Sequence, residues 1–497
     1  MSAPNCLRCL VRPSAVPRAR SSIAPLTPIT APIAGSRPAA AAFSTTPANA
    51  ATNQAPSPNA PKRAGKKLQL SKFKKRDRIA EKGKPPLPGE RKAYRKRIIL
   101  SNDNAIPVPW LTDLGPADLT SSENVAKVMA LPGELQDQLR TSEAFKTTQC
   151  WGMFRKPAVL VRKETVDLTN RMQEAAANRQ VLRLVVTGDK VAGKSLMLLQ
   201  AMSHAFLNDW IVLHFPEAQE LTTACTEYAP IPGTDPVQYM QPVYVLKLIQ
   251  KFRKANEKVL SKTYTTQAHP QLPQNISANM PLLSLANLAK EPENAWAVFQ
   301  ALWNELTAKD ANRPPILISM DGLAHAMKVS DYRSPSFELI HSHDLALVRL
   351  YANALGGGVH FPGGGVVLGA TSRNNAPRAL SMELALAQRE AEQRLQAAEA
   401  AAAAEAADNN KAAAVVPQRD PYLRGYDDRV EAVLRSVQVL RVGGLDKLEA
   451  RALLEYWAAS GMLRATIDER TVTEKWTLAG HGIVGELERA SLQTMRI

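Results

Sequence analysis

The stretch Val181-Leu-Arg-Leu-Val-Val-Thr-Gly-Asp-Lys-Val-Ala-Gly-Lys-Ser195 decides the predicted fold class. Its first part, Val181–Thr187, is mostly aliphatic and ends at a glycine, which is typical of a buried β-strand. Apolar residues then recur at helical spacing over residues 195–208, which predicts an α-helix. The sequence therefore places a glycine-containing loop between a strand and a helix, which is the local context of a phosphate-binding P-loop.

The loop matches the pattern G-x-x-x-x-G-K-[ST] from Gly188 to Ser195. Glycines let backbone N–H groups curl around phosphates, and the following helix directs its positive end towards them. In such a site Lys194 would bridge the terminal phosphates, and the Ser195 hydroxyl would bind Mg²⁺. The pattern predicts a nucleotide-binding site made of Gly188, Asp189, Lys190, Val191, Ala192, Gly193, Lys194, Ser195 and Leu196.

Short apolar runs recur along the rest of the chain and are separated by helical stretches such as Ala295–Thr307. The predicted strands after the P-loop are Ile211–Phe215, Ile316–Met320, Val366–Thr371 and Val437–Val442. Alternating strands and helices imply a parallel sheet packed between helices. The predicted fold class is therefore α/β, with a P-loop nucleoside triphosphatase (NTPase) core.

Asp321 directly follows the predicted strand Ile316–Met320, so its carboxylate would lie at the carboxyl edge of the sheet beside the P-loop. There it would support the metal ion together with Ser195. The alternative is an ordinary turn-forming Asp-Gly pair. The residue after it is Gly322, whereas motor ATPases of similar layout carry a glutamate that activates the attacking water. This substitution argues against rapid hydrolysis.

Other polar positions are less specific. Thr371, Ser372 and Arg373 follow a predicted strand and are candidate sensors of the terminal phosphate, although such residues equally cap loops. The sequence has no [NT]-K-x-D guanine motif, so motifs do not separate GTP from ATP. The chain has four cysteines, and neither a disulfide framework nor a zinc site is predicted from their spacing. Four histidines of the predicted core are scattered along the sequence and predict no site: His214, His325, His341 and His343.

Positive charge is concentrated at the N-terminus. The chain has a net charge of +16, whereas residues 1–97 alone carry +18, so the remainder is close to neutral. Residues 51–97 are rich in Lys, Arg, Pro and Gly without periodicity, which predicts a disordered arm that becomes ordered on a polyanion. A solvated linker is the alternative.

The first 50 residues have the composition of a targeting segment. No acidic residue precedes Asp77, and the stretch is rich in Ala, Ser and Pro with isolated Arg residues. This composition is typical of a mitochondrial transit peptide, which we predict to end near residue 50. No apolar run reaches the length of about 18 to 20 residues that a membrane-spanning helix requires. The sequence therefore predicts a mitochondrial protein without a membrane span.

The C-terminal third contains two further features. Leu384–Ala407 is dense in Ala, Glu, Gln and Arg, which predicts a solvated, projecting helix. After Gly444, apolar residues from Leu445 to Trp457 recur at helical spacing, and Asp446 opens the predicted helix. The predicted segments are a leading segment at 98–180, the α/β core at 181–376, an Ala-rich helical insertion at 377–425, and a strand with a helical lid at 426–497.

Several stretches, taken together, resemble one family. They are Phe154-Arg-Lys-Pro157, Trp210-Ile-Val-Leu-His-Phe-Pro216, Glu227-Tyr-Ala-Pro-Ile-Pro232, Gln241-Pro242, Met320-Asp-Gly-Leu323 and Ile340-His-Ser-His-Asp-Leu-Ala-Leu-Val-Arg349. With the P-loop and the helix after Gly444, the sequence resembles the death-associated protein 3 family, the nucleotide-binding component of the mitochondrial small ribosomal subunit. The resemblance covers residues 95–497, apart from the Ala-rich insertion and the loop at 263–279.

The resemblance implies an AAA+-like core with a small helical lid, which holds GTP or GDP as a structural component. It carries phosphate binding to Gly188–Ser195 and metal support to Ser195 and Asp321. It also implies a location in the mitochondrial matrix, in the head of the small ribosomal subunit. The implied partners are the small-subunit rRNA, neighbouring ribosomal proteins and the large subunit at inter-subunit contacts.

Three functions therefore compete. The leading hypothesis is a structural constituent of the mitochondrial small ribosomal subunit that binds a purine nucleotide and contacts rRNA through its basic arm. The alternative from another class is a catalytically active mitochondrial AAA+-like NTPase that acts in chaperoning or remodelling, against which Gly322 weighs. The third is an RNA-binding protein whose P-loop holds no nucleotide.

Overall fold

The structure is a computed structural model that describes residues 98–272, 276–309, 312–373, 376–404 and 416–493. The predicted transit peptide at 1–50 and the predicted basic arm at 51–97 lie outside these residues. None of the helices in the described part of the chain has the length and apolar character needed to cross a membrane.

The strands and helices follow in chain order. The strands are β1 (Val128–Ala130), β2 (Ala158–Leu160), β3 (Val181–Gly188), β4 (Ile211–Phe215), β5 (Ala229–Ile231), β6 (Gln238–Met240), β7 (Ile316–Asp321), β8 (Val329–Arg333), β9 (Leu339–His341), β10 (Gly365–Ala370) and β11 (Gln438–Val442). The α-helices are α1 (Gly133–Thr141), α2 (Lys163–Ala177), α3 (Lys194–Leu207), α4 (Ala218–Thr222), α5 (Pro242–Ala255), α6 (Glu257–Leu260), α7 (Leu282–Ala286), α8 (Pro292–Thr307), α9 (Leu323–Ala326), α10 (Ala346–Gly356), α11 (Leu380–Ala404), α12 (Asp428–Leu434), α13 (Lys447–Ala459), α14 (Glu469–Leu478) and α15 (Val484–Glu488).

A five-stranded parallel sheet lies at the centre, in the order β11-β3-β10-β7-β4. Strand β10 pairs with β3 on one side and with β7 on the other, so that Ala370 is level with both Val186 and Asp321. The residues that follow β10 therefore emerge between the end of the P-loop strand and Asp321. This topology brings three separate parts of the sequence to one edge of the sheet.

Helices cover both faces of this sheet. Leu184 and Val186 of β3 belong to the apolar cluster that includes residues of α2 and α3. The intervening Val185 belongs to the cluster that includes residues of α5, α8 and α10. Burial on both faces explains why these strands read as continuous aliphatic runs. The predicted α/β class, with a parallel sheet between helices, is confirmed.

The predicted bounds of the sheet strands agree with the structure to within one residue at each end. The two-stranded sheets β1–β2, β5–β6 and β8–β9 were not predicted. Most of their strands have only three residues, which is too short for a period of two to be recognised. The hairpin strand β8 alternates exposed and buried residues along its length.

The Ala-rich helix differs from its prediction. α11 begins at Leu380, and Met382, Ala385 and Leu386 are buried in the core. Only its later residues have the exposed character that was expected for a solvated helix, because an Ala-rich sequence does not reveal where packing ends. The first turns of α11 are therefore part of the packed structure.

The C-terminal helices α13, α14 and α15 share an apolar cluster with Val128 and Phe154 of the leading segment. Asp446 caps α13 in a capping box with Glu449, so the predicted start of this helix is correct. Leu448, expected on the apolar face, is 73% exposed, and Leu454 is buried instead. Leu445, Tyr456 and Trp457 are buried as predicted, so only Leu448 was misassigned, because it lies in the first turn, ahead of the packed stripe.

Candidate nucleotide-binding site

The predicted P-loop connects β3 to α3. Gly188 ends the strand with a φ of 149°, and Gly193 precedes the helix with a φ of 99°. Val191 also has a positive φ of 54°, which is costly for a β-branched residue. Its carbonyl oxygen accepts a hydrogen bond at 3.0 Å from the backbone N–H of Gly485 in α15. A C-terminal helix therefore holds the strained turn of the loop.

The side chain of Lys194 folds back onto the loop. Its Nζ donates to the carbonyl oxygens of Gly188 at 3.1 Å and Asp189 at 2.5 Å. Burial lowers the pKa of Lys194, and the nearby Arg373 lowers it further, whereas Asp189 and Asp321 oppose the shift. A buried ammonium whose hydrogen bonds go to neutral carbonyl oxygens favours an anionic ligand, which would offset its desolvation.

Ser195 and Asp321 meet across the sheet edge. The Ser195 hydroxyl donates to Asp321 Oδ2 at 2.8 Å, and the backbone N–H of Gly322 donates to Asp321 Oδ1 at 2.9 Å. A hydroxyl and a carboxylate are the oxygen ligands that Mg²⁺ prefers, so the pair fits the predicted metal role. No group of three or more His, Cys, Asp or Glu side chains in the described residues is arranged to hold a metal. Phosphate and water oxygens would therefore have to complete the coordination.

The candidate phosphate sensors emerge from β10 beside the loop. The Thr371 hydroxyl donates to the carbonyl oxygen of Val186 at 3.2 Å, so it is engaged with the neighbouring strand. Arg373 reaches the P-loop, where its guanidinium lies 3.7 Å from Asp189 Oδ1. Both partners of this ion pair are more than half exposed, so the pair contributes little to stability. The geometry brings Arg373 to the site more directly than Thr371.

A cavity of about 590 Å³ joins these residues. This volume is within the range of small-molecule sites. Seven of the nine predicted nucleotide-binding residues line it, as do Asp321 and the three candidate sensors. Gly188 and Asp189 do not line it, and they contribute through the carbonyl oxygens that accept from Lys194. Apolar side chains also line the cavity, among them Val128, Leu160, Leu453, Tyr456, Trp457 and Val484.

The sequence did not predict several residues that shape the site. Arg162, which is 5% exposed, donates to the carbonyl oxygens of Ala192 at 3.1 Å and Gly443 at 3.0 Å. It thereby joins the P-loop to the end of β11. Lys146 lies 3.3 Å from Asp321, and Glu217 and His325 line the cavity. These residues belong to no motif, and the fold alone brings them to the P-loop.

A family model described as "Mitochondrial ribosomal death-associated protein 3" matches residues 159–490. The chain belongs to this family. It is 57% identical to the small ribosomal subunit protein mS29 of Neurospora crassa, over 100% of both chains. The proteins of the same name from Mus musculus and Bos taurus are 27% and 26% identical to it over 110 residues, which cover 22% of this chain and 28% and 27% of theirs. The family expected from the sequence is thus confirmed.

Proposed function

We propose that this chain is a structural component of the mitochondrial small ribosomal subunit, located in the mitochondrial matrix, that retains a purine nucleotide. The observation that carries the ribosomal part is the 57% identity to a small ribosomal subunit protein along the whole of both chains. Because the identity extends over 100% of both chains, we expect this chain to have the surfaces that such a protein uses for assembly. Neighbouring ribosomal proteins and rRNA are its proposed partners.

The nucleotide part is supported by the site geometry. Lys194 and Ser195 line one cavity with Asp321, and the Ser195 hydroxyl is hydrogen-bonded to that carboxylate. In our proposal the P-loop binds the phosphates, and Ser195 and Asp321 hold the Mg²⁺ that would accompany them. The apolar side chains of the cavity lining suit a purine base. GTP or GDP is proposed from the family resemblance, with ATP as the alternative.

The residue after Asp321, Gly322, favours retention of the nucleotide over its hydrolysis. Gly322 has a φ of 76°, a left-handed conformation in which a glutamate would be strained. A water-activating carboxylate at this position would therefore carry a conformational cost. Glu217, which follows β4 and lines the cavity, favours the competing NTPase function, because a carboxylate in this position can activate an attacking water. Release of phosphate from GTP by the wild-type chain, abolished in Glu217→Gln, would support that alternative.

The nucleotide would stabilise the fold by joining its parts. The P-loop already contacts α15 through Val191 and Gly485, and Arg162 links it to the end of β11. A ligand that binds only the folded state stabilises it by about 2.7 kcal/mol at a hundred times its Kd. We further propose that the basic arm neutralises rRNA phosphates, so that its binding depends steeply on salt concentration and little on base sequence.

Sedimentation tests the ribosomal part. Mitochondrial lysate is separated on a density gradient at moderate salt, and the chain is located by immunoblotting. We expect it to sediment with the small ribosomal subunit. A chain found wholly in the light fractions would contradict its role as a subunit component.

The nucleotide part is tested with Lys194→Ala. In the wild type, added GDP or GTP with Mg²⁺ should raise the melting temperature. In the variant this rise should be lost, because the phosphates lose their buried cation. The exposed Lys247 of α5 gives the control Lys247→Ala, which should respond like the wild type. An equal rise in wild type and Lys194→Ala would reject the proposed phosphate site.

A further inference from the structure

A lysine from outside the parallel sheet reaches the Ser195–Asp321 pair. Lys146 lies in the connection between α1 and β2, and its Nζ is 3.3 Å from Asp321 Oδ2. This same oxygen accepts the Ser195 hydroxyl at 2.8 Å. The side chains of Lys146 and Asp321 are only 17% and 9% exposed, so solvent screens their attraction less than at an open surface. One oxygen of Asp321 thus contacts the ammonium of Lys146 and accepts a hydrogen bond from the hydroxyl of Ser195.

Two further acceptors hold the ammonium of Lys146 in place. It donates to the carbonyl oxygen of Pro216 and lies 4.0 Å from Glu217 Oε1. Pro216 and Glu217 directly follow β4, and Asp321 is the last residue of the neighbouring strand β7. The ammonium therefore lies at the carboxyl edge of the sheet, among oxygen atoms from two adjacent strands.

The backbone of Lys146 is also fixed. Its N–H donates to Gln149 Oε1 at 2.9 Å, and the same oxygen accepts Nε1 of Trp151 at 2.6 Å. The buried rings of Phe145 and Trp151 pack edge to face, with centroids 5.2 Å apart. Since the adjacent residue Phe145 is packed in the core, the turn that carries Lys146 is fixed beside the cavity.

We propose that the ammonium of Lys146, next to Asp321, provides a permanent positive charge for the nucleotide phosphates, so that this site retains nucleotide when divalent metal is removed. The inference rests on the nucleotide site proposed above. An ammonium beside Asp321 leaves positive charge next to the proposed Mg²⁺ position when the metal is removed, and this charge offsets part of the phosphate charge that Mg²⁺ otherwise offsets in P-loop proteins. Lys146 and Lys194 both line the cavity, so the protein itself provides two ammonium groups for the phosphates.

The test measures nucleotide retention in the full-length chain. The protein is loaded with GDP and Mg²⁺, passed through a desalting column in buffer with either Mg²⁺ or EDTA, and assayed for bound GDP by chromatography over time. The wild type should release GDP at similar rates in both buffers. In Lys146→Met, release should be faster in EDTA than in Mg²⁺ by about tenfold or more, the effect of removing one nearby charge from a partly buried site.

Two variants control for misfolding and for loss of charge elsewhere. Lys146→Arg keeps the positive charge and should behave like the wild type. Lys156→Met removes an exposed lysine of the same segment, which is paired with Asp113 at 3.7 Å, and should also behave like the wild type. A wild type that loses GDP in EDTA as fast as Lys146→Met would overturn the proposal. If the wild type holds no GDP even with Mg²⁺, the nucleotide site itself is rejected, and the role of Lys146 falls with it.

Discussion

The two glycines of the P-loop pattern are needed for different physical reasons. A Cβ on Gly188 would lie 2.3 Å from the carbonyl oxygen of Val442 in the adjacent strand β11. A Cβ on Gly193 would meet nothing closer than 3.7 Å, so there only the backbone conformation, with a φ of 99°, requires glycine. Gly188 therefore serves the packing of the sheet, whereas Gly193 serves the turn into α3.

The contrast predicts unequal costs of substitution. Gly188→Ala should lower the free energy of unfolding by about 3 kcal/mol or more, because backbone atoms must move apart. Gly193→Ala should cost only about 1 to 2 kcal/mol, from strain at positive φ. Urea unfolding without nucleotide measures both. Gly133→Ala, at an open position in the first turn of α1, is the control and should change stability little. Equal losses for Gly188→Ala and Gly193→Ala would contradict the different roles of the two glycines.

At the residue scale, the sequence predicted those site residues that a motif or a strand end marks. Ser195 was expected from the P-loop pattern, and Asp321 from its place after an aliphatic strand; the structure brings their side chains within 2.8 Å. Lys146, Arg162 and Gly485 were not expected. Each lies in a segment whose local sequence specifies only a turn or a helix end, and only tertiary packing brings it to the loop.

Among the elements, the edge strand β4 depends on one buried side chain. Among the strands that the structure describes, β4 pairs with β7 alone, which leaves backbone groups on its other side without a strand partner. Asn256, which is 1% exposed, accepts from the N–H of Val212 and donates to its carbonyl oxygen, both at 2.8 Å. At Val212 the amide thus takes the place of a neighbouring strand and occupies the backbone groups that another strand would pair with.

Removal of this amide should destabilise the protein. Asn256→Ala leaves the N–H and the carbonyl oxygen of Val212 buried without partners, and we expect a loss of about 2 to 4 kcal/mol of unfolding free energy. Asn287→Ala removes an exposed asparagine that only accepts from Arg253, and it should cost less than about 0.5 kcal/mol. Chemical unfolding of both variants decides the point. Similar stabilities would mean that β4 does not depend on this clamp.

The sequence predicted which strands and helices exist better than it predicted which of them contact one another. The five sheet strands were expected because their aliphatic runs reflect burial on both faces. The position of β10 between β3 and β7 could not be predicted, because no local pattern records which strands become neighbours. The buried start of α11 was missed for a related reason. Its Met382 and Leu386 stand in an Ala-rich context whose helical pattern carries little information about packing.

Buried histidines predict that the folded protein loses stability in acid. Burial lowers the pKa of His204 and His343 from 6.5 to about 4, and that of His214 to about 3. Below pH 6.5 the unfolded chain binds protons that the folded protein does not. The stabilisation is therefore present above the unfolded pKa and is lost as the pH falls below it.

His204 provides the test of this pH dependence. His204→Asn removes the titrating ring and keeps an acceptor where Nδ1 meets Asn208 Nδ2 at 3.3 Å. Between about pH 7 and about pH 5.5, the wild type should lose about 1 kcal/mol more unfolding free energy than the variant. Urea titrations at the two pH values measure the difference. An identical pH dependence in both proteins would show that His204 is not held neutral by the fold.

Retention of a nucleotide in the assembled particle is tested by the nucleotide content of purified mitochondrial small ribosomal subunits. Small molecules are extracted from particles that carry the wild-type chain or Lys194→Ala, and are identified and counted by mass spectrometry. We predict a guanine nucleotide in stoichiometric amount with the wild-type chain, and its loss from particles with the variant. Wild-type particles that contain the chain but yield no purine nucleotide would contradict the claim.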